Sequence, residues 1–254
     1  MFRLVDTHVH LEDVEDLEGA IRRAAEAGVI AIIAVGSDYD SSLFALGISR
    51  NEGFGLKIYP ALGIHPWSLS RGRIEPTLKL IESRIDEAVG IGEVGLDYWY
   101  KEVRKDSEKR RLQQDVFTSF LEIAKQHDKP IIVHSRGAWE DSVDMTIEAG
   151  VKKAVFHWFT GPTQALEKLV ERGYFVSATP AAEYSKEHQK VVENAPLENL
   201  LLETDSPVNY RGLEAEPAHV IRSLSAVARL KGVNESVIAE KTTENALKLF
   251  RLKM

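Results

Sequence analysis

Residues 4–11 read Leu4-Val5-Asp6-Thr7-His8-Val9-His10-Leu11, and this stretch decides between two ways of building an α/β protein. Residues 4–7 form an apolar run of strand length. A doubly wound open sheet usually follows its first strand with a glycine-rich loop that wraps a phosphate at a helix N-terminus. Two histidines, at i and i+2, stand there instead. Side chains two apart on a strand face the same side. His8 and His10 are therefore expected to point together into one mouth, with Val9 turned toward covering helices.

Working outward, the same rhythm recurs. Short apolar runs lie at 30–35, 57–62, 88–91, 131–133, 154–156, 174–177 and 200–202. Most are continuously apolar, as strands buried on both faces are. Amphipathic stripes separate them. Val14, Leu17, Ile21 and Ala24 keep a 3–4 spacing and stop at Gly28, a residue suited to the position after a helix end. Leu112, Val116, Phe120 and Ile123 do the same before Pro130; Val220, Leu224, Val227 and Ala228 form a third stripe, and a last helix runs through Leu247 and Phe250. Eight strands alternating with helices over 254 residues predict a TIM-like (β/α)8 barrel of parallel strands with outer helices, as a single domain over residues 1–254.

Composition narrows the chemistry. There is no cysteine, so disulfides and thiolate metal sites are excluded, and a bound metal has to use imidazole and carboxylate ligands. No run approaches 18 apolar residues, and the N-terminus lacks a basic segment followed by an apolar one. A cytoplasmic protein with no membrane partner is expected. A formal charge of −7 gives no global attraction to nucleic acid, whose binding is dominated by phosphate contacts. A polyanion would have to be held locally.

Ligand-type residues stand where the runs end. Glu93 follows Gly90-Ile91-Gly92, His134 follows Ile131-Ile132-Val133, His157 follows Ala154-Val155-Phe156, and Asp205 comes just after Leu200-Leu201-Leu202. Barrel active sites are assembled at the C-terminal ends of the strands. Four imidazoles and two carboxylates converging there predict a divalent-metal site with positions open to water. Taken singly, each residue also has a structural reading: His157 as a core histidine bonded to a carbonyl, Glu93 as a helix cap, Asp205 before Ser206-Pro207 as turn chemistry. His65, in Gly63-Ile64-His65-Pro66, closes the third strand at the same face and is a candidate substrate contact. His127, His188 and His219 fall in helical patterns and are read as surface residues.

The chain resembles the TatD family of metal-dependent hydrolases, within the amidohydrolase superfamily. The resemblance rests on Val5-Asp6-Thr7-His8-Val9-His10-Leu11, Gly92-Glu93-Val94-Gly95-Leu96-Asp97-Tyr98, Pro130-Ile131-Ile132-Val133-His134-Ser135-Arg136, His157-Trp158-Phe159-Thr160-Gly161 and Leu202-Glu203-Thr204-Asp205-Ser206-Pro207. Arg211, Glu216-Pro217 and Thr243-Glu244-Asn245-Ala246 follow in the expected order, so the matches span nearly the whole chain. The resemblance implies a TIM-like barrel, a one- or two-metal centre and deoxyribonuclease or related phosphodiesterase activity. By position it implies that His8, His10 and Asp205 hold one ion, that Glu93 bridges, and that His134 and His157 hold a second. Trp158, Gly137 and Ala215 depart from the family pattern, where a small residue, Asp and Asn are usual. All three touch expected substrate-facing loops and none removes a ligand.

Two divalent ions, Zn, Mn or Mg, are therefore the expected cofactors, and DNA or another phosphodiester the expected substrate. Such a pair lowers the pKa of a bound water and clamps the attacking and leaving oxygens of an in-line displacement. Two such ions against two ligand carboxylates leave net positive charge, which favours an anionic substrate. Asp205 and Glu93 are the candidate catalytic residues, Asp205 for orienting or deprotonating the water. Glu203, on the same strand face, is a candidate support for the ligands, and Arg136 and Arg211 are candidate phosphate clamps. Trp67, Tyr98, Trp99, Tyr100 and Trp158 are expected on mouth loops, where aromatics can stack splayed bases. For Trp158 loop packing is the preferred reading. A small-molecule amidohydrolase or lactonase is the rival activity, against which Glu93 stands where such enzymes often carry a carboxylated lysine.

Overall fold

The computed structural model describes residues 2–253. Eight strands are present: β1 Leu4–Val9, β2 Val29–Val35, β3 Lys57–Leu62, β4 Gly90–Asp97, β5 Ile131–Arg136, β6 Ala154–Phe156, β7 Phe175–Ala178 and β8 Leu200–Leu202. They pair in sequence order, every neighbour parallel. Such order requires a crossover after each strand, and helices supply it. The seam between β8 and β1 is closed just past the end of β8. The Thr7 hydroxyl donates to the Leu202 carbonyl at 3.0 Å, the Thr204 amide donates to the Asp6 carboxylate at 2.9 Å, and the Asp205 amide donates to the His8 carbonyl at 3.0 Å. A parallel bridge joins Val9 and Ser206. The predicted (β/α)8 barrel is what the chain forms.

Local chemistry explains the elements. The helix Leu17–Glu26 starts where the Asp16 carboxylate accepts the Gly19 amide, and Gly28 follows its end at φ 95°. Val14 lies before that cap, outside the helix. The helix Ser107–Gln126 is capped by Asp106 and buries Val116, Phe117, Phe120, Ile123 and Ala124 along one stripe.

β4 is longer than its apolar run. The run at 88–91 breaks at Gly92 and Glu93, yet the strand continues to Asp97, so Glu93 sits inside it rather than after it. Gly95 makes the continuation possible: at φ 143° its missing Cβ would lie 2.1 Å from the His134 carbonyl oxygen of β5.

The core has two layers. One fills the space between strands and helices. The other, with Ile33, Ala61, Ile132, Val155, Leu201, Leu249 and Phe250, fills the barrel interior. Ile132, Val155 and Leu201 each precede a polar residue by two, namely His134, His157 and Glu203. The inward face of the strands thus changes from apolar to ionisable one step from the rim. The last helix, Glu235–Phe250, brings Phe250 against Gly90 at the start of β4, at the opposite end. No helix among the described residues is long and apolar enough to cross a membrane.

Candidate metal centre

Six side chains from five strands or the turns after them meet at the C-terminal rim. His8 and His10 come from the end of β1. Their Nε2 atoms lie 3.2 Å apart, and each lies 3.3 Å from Glu93 Oε2. Asp205 Oδ1 completes this group, 3.6 Å from His8 Nε2 and 3.7 Å from His10 Nε2. Four tetrahedral donors about 2.0–2.1 Å from a cation are about 3.3–3.4 Å from one another. The His8, His10 and Glu93 atoms therefore already stand near the edge lengths of one face of a tetrahedral cage, with Asp205 Oδ1 slightly farther from the two imidazoles. The other carboxylate oxygen of Glu93 serves a second group. Oε1 lies 2.6 Å from His157 Nε2 and 2.8 Å from His134 Nδ1, with those two nitrogens 3.2 Å apart. His8 and His157 stack at 4.1 Å between the groups.

All this is under cover. Glu93 is 2 % exposed and His8 0 %. Burial pushes the Glu93 carboxyl upward, but the surrounding imidazoles of His157, His65 and His8 outweigh it and hold the acid well below the usual carboxylate range. Burial works against charge on His157 too, yet Glu93 and Glu203 keep its imidazole well above the ordinary value. His10, beside Glu12 and Glu93, and His134, beside Asp97 and Glu93, are raised against the same burial. Metal binding at imidazole–carboxylate sites is coupled to proton release, and a divalent cation would match the charge these carboxylates present. Donor type, spacing and charge all fit a divalent metal.

The remaining candidates separate. His65 lines the site with Nε2 3.5 Å from Glu93 Oε1, while its Nδ1 accepts the Trp67 amide at 3.1 Å. In the neutral ring Nε2 therefore carries the hydrogen and faces the site as a donor. Burial holds its imidazole well below the ordinary value. Glu203 Oε1 accepts the Trp158 amide at 2.9 Å and lies 3.5 Å from His157 Nδ1. Trp158 and Asp205 both adopt left-handed backbone, φ 39° and 52°, a costly conformation that concentrates at functional sites. The Trp158 ring packs on Tyr210 at 5.5 Å.

A cleft of about 890 Å³ opens over the centre, floored by His10, Glu93, His134, His157 and Asp205. Trp67 and Trp99, each more than half exposed, and Arg136 form part of its wall. Arg211 is not among the described residues lining it. It sits at the turn of the hairpin Asn209–Tyr210/Leu213–Glu214, with its guanidinium 3.9 Å from the centre of the Tyr184 ring. Tyr98 also turns away from the mouth, buried with its hydroxyl on Gln114.

Sequence reasoning missed two residues. Asp97, fully buried, accepts from His134 Nε2 at 3.0 Å. It lies four residues beyond Glu93, on the same strand face, and was legible only if β4 was carried past its glycines. His188 is not on the surface. It is fully buried, its Nδ1 donating to the Phe159 carbonyl and its Nε2 accepting the Thr179 amide, each at 3.1 Å. His219 is half-buried in a turn with Glu216, and His127 is exposed.

The model of the family described as TatD related DNase matches residues 5–251. The chain belongs to that family. Among its relatives, human Deoxyribonuclease TATDN3 is 33% identical over 97% of this chain and 94% of its own length. The metal-dependent hydrolase YabD of Bacillus subtilis is 33% identical over 98% and 99%. The crystal structure of the TatD homologue YjjV from Escherichia coli superposes with a TM-score of 0.87 at 28% identity, covering 99% of both chains. The matched span, residues 5–251, includes all six rim residues.

Proposed function

We propose that this TatD-family protein is a two-metal phosphodiesterase that removes nucleotides from DNA ends, in the manner of a 3′–5′ exonuclease. The observation that carries the reading is the single Glu93 carboxylate offering one oxygen to each of two donor groups. His8, His10, Asp205 and Glu93 would hold one ion, and His134 and His157, sharing Glu93, would hold the other. Imidazole-rich ligation favours Zn or Mn over Mg. When bound, such a pair supplies Lewis acidity and an acidified water.

The chain's own residues do the rest. Asp205 orients the attacking water and takes its proton. As the water oxygen bonds to phosphorus, the bond to the leaving sugar oxygen breaks in line, and a proton returns to that oxygen. His65 Nε2–H and the Arg136 guanidinium hold the non-bridging phosphate oxygens. Trp67 and Trp99 offer faces for unpaired bases at the cleft entrance, and Arg104 and Arg136 flank the Trp99 ring at 5.0 and 5.7 Å.

The test is incubation of the Zn- or Mn-loaded protein with end-labelled single-stranded DNA. Release of nucleotides from one end by wild type, and its loss in Asp205→Ala, is expected. Equal degradation by both proteins would trace the activity to a contaminant and sink the proposal.

A further inference from the structure

The four rim histidines are not supported alike. Each uses one ring nitrogen toward the centre, and what lies behind the other nitrogen differs. His8 Nδ1 is buried with no partner among the described residues. His10 Nδ1 is 3.8 Å from Glu12, and His157 Nδ1 is 3.5 Å from Glu203. Only His134 has a carboxylate at hydrogen-bonding distance, Asp97 Oδ2 at 3.0 Å.

That carboxylate is held from several sides. Its Oδ2 also accepts the Trp67 indole N–H at 2.9 Å, and Oδ1 accepts the Trp99 amide at 2.9 Å. Its backbone is clamped by Gln113, whose Oε1 accepts the Asp97 amide at 2.9 Å and whose Nε2 donates to the Asp97 carbonyl at 3.2 Å. Three donors converge on one buried acid, which leaves no low-energy alternative to accepting from His134. A carboxylate facing Nε2 fixes the hydrogen there and turns the Nδ1 lone pair inward, toward Glu93 Oε1 and His157 Nε2.

We infer that Asp97 is a positioning residue that sets the affinity of the second ion locus by fixing the tautomer and angle of His134. The inference rests on the two-ion reading above. That locus has three protein donors against four in the first, so the orientation of each imidazole counts for more. Trp67 ties the arrangement to the cleft: its indole holds Asp97 and its backbone amide holds His65, while its ring stands half in solvent.

The experiment loads the full chain with Zn2+ alone, counts ions per chain after desalting, and measures each affinity by competition with a chromophoric chelator. Wild type is expected to bind two ions. Asp97→Asn is expected to keep the tighter one and to bind the second about 10–100-fold more weakly, the usual effect of removing such a partner. Glu122→Gln, at an exposed carboxylate on the helix Ser107–Gln126, is the control and leaves both affinities unchanged. Two tight ions in Asp97→Asn overturn the inference while leaving the two-metal reading standing; no ion in wild type overturns that reading itself. Should Asp97→Asn not fold, nitrogen NMR of Zn2+-loaded wild-type protein with labelled histidine decides, because in the metal-free protein Glu93 Oε1, 2.8 Å from Nδ1, competes for the hydrogen. A hydrogen on Nε2 supports the assignment, and one on Nδ1 defeats it.

Discussion

His157 and His188 are both histidines removed from water, 5 % and 0 % exposed, and they do opposite things. His157 faces two carboxylates, Glu93 and Glu203, and is pushed toward the charged form. His188 faces an amide and a carbonyl, and burial lowers its pKa to about 4. One imidazole sits among acids that favour its charged form. The other is a neutral strut, tying the loop that begins at His157 to the turn after β7. Burial alone does not mark a functional histidine; the charge of what surrounds it does.

The strongest way to break this contrast is to remove the charge that defines it. Glu93→Gln takes the shared anion from both donor groups. Metal content after desalting should collapse, and DNA hydrolysis should fall by about a thousandfold or more, since a metal's contribution is worth several kcal/mol. A Glu93→Gln protein retaining two ions and near-normal turnover would show that the histidines alone define the centre. Chelation of wild type is the companion measurement. Activity should vanish, and thermal stability should drop by about 4 kcal/mol for a metal present at about a thousand times its Kd.

His188 sharpens the other side. In the unfolded chain an imidazole titrates near 6.5, about 2.5 units above the folded value of about 4. Its contribution to stability is complete above about pH 6.5 and is lost as pH falls toward 4, about 3 kcal/mol in all. In His188→Gln the metal-free protein should unfold more easily at pH 7 but show a flatter decline between pH 6.5 and 4 than wild type. His10, His134 and His157 titrate in the opposite sense and are common to both proteins, so the difference isolates His188. An unchanged slope would contradict the strut assignment.

The smallest effects concern the two arginines. Arg136→Ala should raise KM about tenfold, the loss of one charge-assisted contact. Arg211→Ala should change kcat and KM by less than about twofold, because its guanidinium covers Tyr184 outside the cleft. The reverse order would place the phosphate on the hairpin side of the mouth.

Much was legible before any coordinates. The run of apolar strands, the H-x-H pair and the carboxylates after separate strands carry the barrel and all six rim residues. Side chains alternate with period two along a strand, so His8 and His10 are expected to share a face once residues 4–9 are read as a strand. Asp97 and His188 were hidden for a definite reason. Gly92 and Gly95 interrupt the apolar pattern that marks a strand, and His188 lies in a helix whose polar composition resembles a surface helix until its neighbours are known.

The sequence by itself determined which residue types were available, on which side of each strand they stand, and hence that cysteine-free, imidazole–carboxylate chemistry gathers at one rim. Only the tertiary structure decided that Glu93 divides its two oxygens between two histidine pairs, that Asp97 stands behind His134, and that Arg211 stands apart. Those are distances between atoms far apart along the chain. They depend on strand register and on the glycines that let β4 press against β5, and no local periodicity encodes them.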